Sequence, residues 1–458
     1  MEIYDVCLHI GNGGQWLGDF YVKIKKQLED RGLTVVFYTD VPDIKQYFDK
    51  NGISSYVFLD KYEGEIDLDF VMNSLTELGL NPKSLYNSEQ KFYDIEEKDC
   101  IQYFARYVHS VLKLKNIKKA RFYVTYEGDE IDHNIFRVLG RLNGGKFIYW
   151  GISNLDTRTH FHDDEKRYFE TPFENNQPIT EDEKVWLEKY VESYTQKKTN
   201  LWGDPKREDV KFKFGYIISA LKKIGNKITN SDYDPRRTFG HAFTRYFKRL
   251  LRRQYAYLKY NTKFSFDDGI DYYYFPLHVP FDSQLTQRGL PFYDQVSLVQ
   301  TISNYLPYSS RLIVKEHPMG RGYYSISDLN KLAKLSNVIL LPAYSNSHDI
   351  VPKAKGIFVI NSSVGYEGLM YKKPVVTFGR SFFRKQGLTI DIDSLYELEE
   401  VFDKIERHEV INEKVYDFLW RVKKNTYPVD LYFINEGNYN EKIVEFVNAL
   451  EIELKKRL

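Results

Sequence analysis

The sequence predicts an α/β fold that contains two Rossmann-like, doubly wound units. Three observations support this prediction. Short apolar runs alternate with helix-length amphipathic segments in both halves of the chain. At 458 residues the chain is too long for one ordinary core, so roughly two to three domains are expected. A basic and aromatic segment near the middle separates the two halves, as a connector between domains would.

The first half supplies strands separated by helices. Strands are predicted at Tyr4–Ile10, Leu33–Tyr38, Ser55–Leu59, Arg121–Thr125 and Lys146–Trp150, and helices near 16–31, 100–114 and 132–142. Strands that alternate with helices of this length are typical of a mainly parallel, doubly wound sheet.

The second half repeats the pattern. Strands are predicted at Tyr272–Pro276, Arg311–Lys315, Val338–Leu341, Ile357–Ile360 and Val375–Phe378, and helices at 293–305, 329–335, after Ser363, at 411–424 and at 440–456. Two such units joined by a connector describe the GT-B architecture of glycosyltransferases, in which the domains face a cleft. We place the first domain at 1–195, the connector at 196–265 and the second domain at 266–430. Residues 431–458 form a C-terminal helix that packs back towards the first domain.

Composition excludes several classes of protein. Lys+Arg 65 against Asp+Glu 64 leaves the charge near zero, which argues against a dedicated nucleic-acid binder. The two cysteines, Cys7 and Cys100, make no disulfide framework and indicate a reducing compartment. The N-terminus lacks the pattern of a secretory signal, and no apolar stretch approaches about 20 residues. We therefore expect a cytoplasmic protein, at most peripheral to the inner membrane.

The connector predicts a surface contact. Between Pro235 and Phe266 there is no acidic residue, and 243–260 sets apolar residues beside lysines and arginines at helical spacing. Such a helix is typical of a contact with anionic lipid, which we assign to 235–263, and equally of a solvated connector helix between domains.

The segment from Leu312 to Gly379 predicts a phosphate site. A short apolar strand delivers Lys315, Glu316 and His317 to a turn closed by Pro318, and a buried-type strand leads to Asn361-Ser362-Ser363 and then a helix with Glu367 in its second turn. A strand–hydroxyl–helix corner offers free backbone N–H groups and the positive helix end to an anion. We expect His317 to donate an imidazolium N–H to a phosphate. Glu367 is placed to accept hydrogen bonds from ribose hydroxyls.

These motifs resemble those of the capsule polysaccharide biosynthesis family that includes bacterial Kdo transferases. They are also similar to the HP and SS motifs of bacterial GT-B sialyltransferases. Both groups use CMP-activated ulosonic acids, and the resemblance implies that His317, Ser362 and Ser363 bind the CMP phosphate. The upstream residues Gln284 and Arg288 fit the segment that precedes the HP strand in capsule proteins.

The resemblance also implies an acidic residue at the end of a strand in the first domain. Glu127 and Asp129 are the candidates for a general base, with Asp132 behind them. The sialyltransferase pattern is two acidic residues followed by glycine, whereas here Gly128 stands between them. Which of the two carboxylates acts as the base is therefore left open.

Two other segments are weaker candidates. The loop Gly11-Asn12-Gly13-Gly14 lacks dinucleotide spacing and is either a secondary site or a tight turn that needs positive φ. His160-Phe161-His162-Asp163-Asp164 contains metal-ligating residue types but is interpreted as an acceptor-side or surface loop. We expect no metal and no other cofactor, with protein cations and helix N–H groups stabilising the departing phosphate.

The sequence therefore predicts a glycosyltransferase of capsule or surface polysaccharide. It would transfer Kdo or another ulosonic acid from a CMP-sugar to a lipid-linked or growing glycan, with no nucleic-acid partner. The alternatives are a transferase that uses a UDP-sugar, a GDP-sugar or CDP-glycerol, a sugar-nucleotide epimerase, and a non-catalytic capsule assembly or export component.

Overall fold

The computed structural model describes residues 3–11, 15–114, 118–155, 158–163, 178–197, 239–260, 264–266, 269–431 and 439–458. Its strands are β1 Tyr4–His9, β2 Val35–Thr39, β3 Tyr56–Phe58, β4 Ala120–Tyr126, β5 Lys146–Ile152, β6 Thr159–His162, β7 Tyr272–Pro276, β8 Arg311–Lys315, β9 Val338–Leu341, β10 Gly356–Val359, β11 Val375–Thr377 and β12 Ile390–Asp391. Its helices are α1 Gln15–Glu29, α2 Pro42–Lys50, α3 Leu68–Glu77, α4 Pro82–Tyr93, α5 Glu97–Lys113, α6 Ile131–Asn143, α7 Glu181–Lys197, α8 Phe239–Lys259, α9 Ser283–Thr286, α10 Gln295–Tyr305, α11 Ile326–Ala333, α12 Ser347–Ile350, α13 Ser363–Met370, α14 Val401–Arg407, α15 Asn412–Lys424 and α16 Tyr439–Arg457.

The chain divides into two compact units. The first contains Met1–Gln90, Ile95–Phe169 and Val422–Leu458, and the second contains Lys91–Asp94 and Glu170–Arg421. Helix α16 belongs to the first unit and packs against α1. Helix α7 groups with the second unit, although most of it precedes the predicted domain boundary at residue 195.

The first unit is built on a sheet of strand order β3-β2-β1-β4-β5-β6, parallel except for the antiparallel edge strand β6. Strand β2 is the apolar run Val-Val-Phe-Tyr-Thr, and all five of its residues are buried. A strand covered on both faces has this composition because helices pack against both sides of a parallel sheet. The chain order reverses between β1 and β4, which makes the end of these two strands the switch point of the sheet.

The second unit repeats this order. Its sheet runs β12-β11-β10-β7-β8-β9, and every strand pair in it is parallel. Its core includes Phe275, Leu312, Val314 and Phe358, each fully buried. Here the switch point lies between β7 and β10. Two Rossmann-like, doubly wound α/β units are therefore confirmed.

Within the described ranges, no helix is both long and apolar enough to cross a bilayer.

Candidate functional site

The carboxyl ends of the parallel strands of the second unit bring the predicted phosphate-site residues together. Strand β7 is paired with β8 so that Pro276 lies opposite Lys315, and with β10 so that Tyr274 lies opposite Ile357. Continued past the strand ends, this register sets His278, which follows β7, between His317 and Asn361. Ligands of open α/β sheets bind at such a switch point, outside the carboxyl ends of the strands.

His317 is a neutral hydrogen-bond donor in this arrangement. Its Nδ1 accepts the backbone N–H of Met319 at 3.1 Å, at the start of the short 3-10 helix Pro318–Gly320. Burial, with the nearby Lys315 and His278, lowers the pKa of His317 to about 4. The remaining proton therefore sits on Nε2 in the free protein, whereas the sequence analysis expected an imidazolium. A bound phosphate would favour the charged form, because an adjacent opposite charge raises a histidine pKa.

The serines of the second motif lie at the start of α13. The Ser362 side chain is the N-cap of this helix and accepts the backbone N–H of Val364 at 3.3 Å. Ser363 is the first residue of the helix. The cap thus involves Ser362, while Ser363 and the first N–H groups of the helix lie at the same edge of the sheet.

Asn361 ties this corner to the segment with Gln284 and Arg288. Its Nδ2 donates to the carbonyl of Gln284 at 2.5 Å, and Arg288 Nη1 donates to Gln284 Oε1 at 3.3 Å. The carbonyl of Arg288 accepts the backbone N–H of Arg380 at 2.9 Å. Glycine at position 379 favours this approach, since a Cβ there would lie 2.7 Å from Ile360 Cγ2 and 3.1 Å from the Arg288 carbonyl oxygen. The structure therefore places Gln284 and Arg288 directly beside the corner.

Lys315 and Glu367 are both buried in the second unit and interact electrostatically. They are 6% and 8% exposed, and the positive charge of Lys315 favours the ionised form of Glu367. Burial nevertheless dominates and raises the pKa of Glu367 to about 7, with the Tyr194 hydroxyl as a hydrogen-bond donor to the carboxylate. Tyr194 comes from α7, whose role at this site was not predicted because α7 is distant in sequence.

Glu316 and Pro318 shape the turn that carries His317. Glu316 is buried, accepts the backbone N–H of Gly322 at 3.0 Å, and accepts the hydroxyl of Tyr260 from just past α8. Burial raises its pKa to about 7. Pro318 begins the 3-10 helix. Both hydrogen bonds hold the turn at 317–322 in place, and the Glu316 carboxylate makes them to the Gly322 N–H and the Tyr260 hydroxyl.

His278 is a candidate site residue that was not predicted from the sequence. It is 7% exposed, and burial lowers its pKa to about 4. The signal was available, since His278 stands two residues past β7 just as His317 stands two residues past β8. Only the pairing of β7 with β8 shows that these two positions are neighbours in space.

Three buried polar atoms at this edge have no hydrogen-bond partner among the described residues. They are His278 Nε2, Asn361 Oδ1 and Glu367 Oε2, on side chains that are 6% to 8% exposed. Buried polar atoms are almost always paired, because an unpaired one costs about 1–3 kcal/mol. An imidazole nitrogen, an amide oxygen and a carboxylate oxygen therefore lie open at one switch point, where a polar ligand could hydrogen-bond all three.

In the first unit, Glu127 lies against two histidines. Its Oε1 is 3.0 Å from His162 Nε2 and 3.2 Å from His160 Nε2. Both histidines belong to β6 and are buried. The interpretation of 160–164 as a surface loop was wrong for the described part of that segment, because this short run pairs with β5 as an antiparallel edge strand.

A second cluster lies at the switch point of the first sheet. Asp132 Oδ1 is 3.0 Å from His133 Nδ1, and Asp132 Oδ2 is 4.0 Å from His9 Nε2. Burial disfavours the charge on Asp132, but His133 and His9 outweigh it and hold its pKa well below the usual range. His9 also hydrogen-bonds Thr125 Oγ1 at 3.0 Å. Asp132 is therefore ionised, oriented and flanked by two imidazoles.

Asp129 and Gly11 complete this region. Asp129 is 5% exposed, and its Oδ1 accepts Asn134 Nδ2 at 3.3 Å, which ties it to the first turns of α6. Gly11 does not adopt positive φ. A Cβ there would lie 2.7 Å from Asp132 Oδ2, so glycine is required for the close approach of the chain to Asp132. Asn12, Gly13 and Gly14 lie outside the described residues, as does most of the predicted connector at 196–265.

The match to a protein-family model lies within the second unit. Residues 217–410 match the family model described as capsule polysaccharide biosynthesis protein. A stretch of 127 residues is 31% identical to the capsule polysaccharide export protein KpsS of Escherichia coli, and covers 26% of this chain and 32% of KpsS. The match thus spans about a third of the length of that relative.

Similar solved structures include the β-Kdo 2,7 transferase of Thermosulfurimonas dismutans KpsC. It is 16% identical, with 79% of this chain and 95% of that chain covered and a TM-score of 0.34. The UDP-GlcNAc 2-epimerase of Methanocaldococcus jannaschii is 11% identical, with 92% and 99% covered and a TM-score of 0.29. Both His317 and the serine corner lie inside the family match at 217–410. The resemblance to the capsule polysaccharide biosynthesis family that the motifs predict is therefore confirmed.

Proposed function

We propose that this protein is a glycosyltransferase of capsule or surface polysaccharide biosynthesis. It transfers Kdo or another ulosonic acid from a CMP-sugar to a lipid-linked or growing glycan. The observation that carries the proposal is the set of open polar atoms at the switch point of the second sheet, beside His317 and the N-terminus of α13. The family match at 217–410 supports the capsule setting.

The donor phosphate is proposed to lie between His317 and the serine corner. The Nε2–H of His317, the hydroxyl of Ser363 and the first N–H groups of α13 are donors that suit phosphate oxygens. Lys315 adds positive charge behind them. Glu367 Oε2 is the acceptor proposed for a ribose hydroxyl, which would supply the hydrogen bond that this buried atom lacks.

In the proposed reaction the bond between the anomeric carbon and the CMP phosphate breaks, and CMP departs with the electron pair. A new bond forms between the anomeric carbon and an acceptor hydroxyl oxygen, whose proton passes to a carboxylate base. Negative charge that develops on the phosphate is stabilised by donors already in place, without a metal ion at this position.

Glu127 and Asp129 remain the proposed bases. Glu127 is oriented by His160 and His162 and is partly exposed, since its side chain is 19% exposed. Asp129 is more deeply buried and holds Asn134. Asp132 is a third candidate, but His133 and His9 hold its pKa well below the usual range, which makes it the weakest proton acceptor of the three. A base must reach the acceptor hydroxyl, and partial exposure favours Glu127.

Calorimetric titration with CMP, UDP, GDP and CDP, without added metal, tests the donor site. We expect selective binding of CMP, and a loss of roughly 10- to 100-fold in affinity in His317→Ala, since a hydrogen bond to a charged group contributes about 1.5–3 kcal/mol. His408→Ala is the control, because His408 lies in the same unit but hydrogen-bonds the Leu388 carbonyl.

Selective binding of another nucleotide would replace the CMP-sugar by a donor of that class. Failure of all four nucleotides to bind would instead favour a non-catalytic assembly or export component. Equal CMP affinity in the wild type and in His317→Ala would remove His317 from the site.

A further inference from the structure

We propose that Glu127, His160 and His162 bind a divalent transition-metal ion, Zn²⁺ by preference. This site belongs to the first unit and does not depend on the proposed donor site in the second. With the ion bound, Glu127 is a ligand and the role of general base passes to Asp129 or Asp132, because a carboxylate that ligates a metal is not free to accept the proton.

The distances fit a metal site. Oε1 of Glu127 is 3.0 Å from His162 Nε2 and 3.2 Å from His160 Nε2, and the three atoms lie within 4.8 Å of one another. Tetrahedral zinc with ligand bonds of about 2.1 Å separates neighbouring ligand atoms by about 3.4 Å. Small rotations of the three side chains would therefore admit the ion.

The backbone aims the three ligands at one point. His160 and His162 are two residues apart on β6, so their side chains project from the same face of the sheet. Their rings stack at 5.7 Å between centroids and 13° between planes. Glu127 follows directly after β4, and its backbone N–H donates to the Trp150 carbonyl of β5. Strands β4, β5 and β6 are consecutive neighbours in the sheet, so the site spans three strands.

Gly151 leaves the space that the ligands use. It pairs with His160 across the β5–β6 ladder. A Cβ at this position would lie 2.6 Å from both Glu127 Oε1 and His160 Nε2. A side chain of any size would therefore separate two of the three ligand atoms, and glycine near the end of β5 keeps them together.

The ligand set selects the metal. Two imidazoles and one carboxylate suit Zn²⁺ or another first-row transition ion, whereas Mg²⁺ and Ca²⁺ prefer oxygen ligands. Three protein ligands leave a fourth position for water, as in zinc sites that carry out chemistry. In a second group, Glu130, Asp132 and His133, the possible ligand atoms also lie within 4.8 Å of one another. It offers only one imidazole, and its Glu130 side chain is 65% exposed, so it is the poorer site.

The test measures Zn²⁺ bound to the full chain after removal of any histidine tag and dialysis against a chelator. The zinc content per chain is measured by inductively coupled plasma mass spectrometry, and the zinc affinity by competition with a chromogenic chelator. We expect one Zn²⁺ per chain, and affinity about 100-fold or more weaker in His162→Gln and Glu127→Gln, since even loss of a residue that supports a ligand costs 10- to 100-fold. Gly151→Ala should weaken binding as well, while His133→Gln should leave it intact.

Folding is monitored in parallel. Zn²⁺ should raise the Tm of the wild-type protein and of His133→Gln but not that of His162→Gln. The proposal is overturned if the wild type binds no more Zn²⁺ than His162→Gln, or if His133→Gln is the variant that loses the ion. The same samples titrated with CMP report on the donor site separately, because none of these substitutions lies in the second unit.

Discussion

At the residue scale, the proposed donor site contains three side chains whose charge is disfavoured by burial. His317 and His278 have pKa values of about 4, whereas the pKa of Glu367 is about 7. Each shift has burial as its first cause. Groups buried in this way lack the hydrogen bonds that water would give them, and a bound polar ligand can supply those bonds. Strongly shifted pKa values are accordingly common at functional sites.

The buried carboxyl of Glu367 should make stability depend on pH. Its pKa is raised to about 7 in the folded chain from 4.5, so the folded state keeps a proton that the unfolded chain releases between those values. Stability from the neutral carboxyl is therefore lost as pH rises through 7, by at most about 3 kcal/mol. We expect Glu367→Gln to raise Tm relative to the wild type at pH 8 and to have little effect on it at pH 5.

The control for this experiment is Glu399→Gln, at an exposed position in the same unit. Its effect on Tm should be the same at both pH values. A Glu367→Gln effect that does not grow with pH would show that the carboxyl is ionised in the fold across this range.

At the element scale, the start of the short helix α13 is proposed both to be capped by a serine and to bind the donor phosphate. The hydroxyl of Ser362 caps α13 by accepting the Val364 N–H, and Ser363 begins the helix beside it. Capping and anion binding are compatible because the helix start carries several free N–H groups.

The two serines should therefore differ when replaced. Ser362→Ala should destabilise the fold by about 1 kcal/mol through loss of the cap, and should also weaken CMP binding. Ser363→Ala should weaken CMP binding with little change in stability. Chemical denaturation and calorimetry of the two variants measure both effects, and equal loss of stability in both would contradict the assignment of the cap to Ser362.

Element by element, the sequence predicted the sheets better than the helices around them. Buried parallel strands such as β7, β8 and β9 are continuous apolar runs, and their predicted bounds agree with the structure. Helix α7 was missed because it is rich in charge and has weak apolar periodicity. Strand β6 was missed because two histidines interrupt its apolar pattern.

The predicted site shows the same limit. His317, Ser362 and Ser363 could be named from sequence because each follows a recognisable strand in a known motif. The contributions of His278 and Tyr194 depend on strand pairing and on packing of a distant helix, and no local pattern reports either. Likewise, the contact of Glu127 with His160 and His162 joins residues from β6 and the end of β4 that periodicity cannot relate.

At the scale of the whole molecule, α8 is proposed to contact an anionic membrane. One of its cations contacts the protein itself: the Arg249 guanidinium donates to the Arg321 carbonyl at 3.1 Å and lies over the Tyr323 ring at 4.1 Å from its centroid. Leu251 and Leu258, however, are 50% and 78% exposed and lie on one face of the helix. An exposed apolar stripe beside cations favours a bilayer surface with acidic headgroups.

Flotation with lipid vesicles tests this contact. We expect binding to vesicles that contain phosphatidylglycerol, weak binding to pure phosphatidylcholine, and release as salt rises from about 0.1 M to about 0.5 M. Leu251→Ser with Leu258→Ser should reduce binding several-fold. Tyr308→Ser, at an exposed position outside α8, is the control. Unchanged binding in the double variant would contradict the membrane contact and leave α8 as a connector helix.

The measurement that tests the central proposal most directly is a crystal structure with CMP bound. We expect phosphate oxygens within hydrogen-bond distance of His317 Nε2 and Ser363 Oγ at the start of α13, and a ribose hydroxyl on Glu367 Oε2. CMP bound away from this switch point, or a phosphate without contact to His317 and the serine corner, would contradict the proposed donor site.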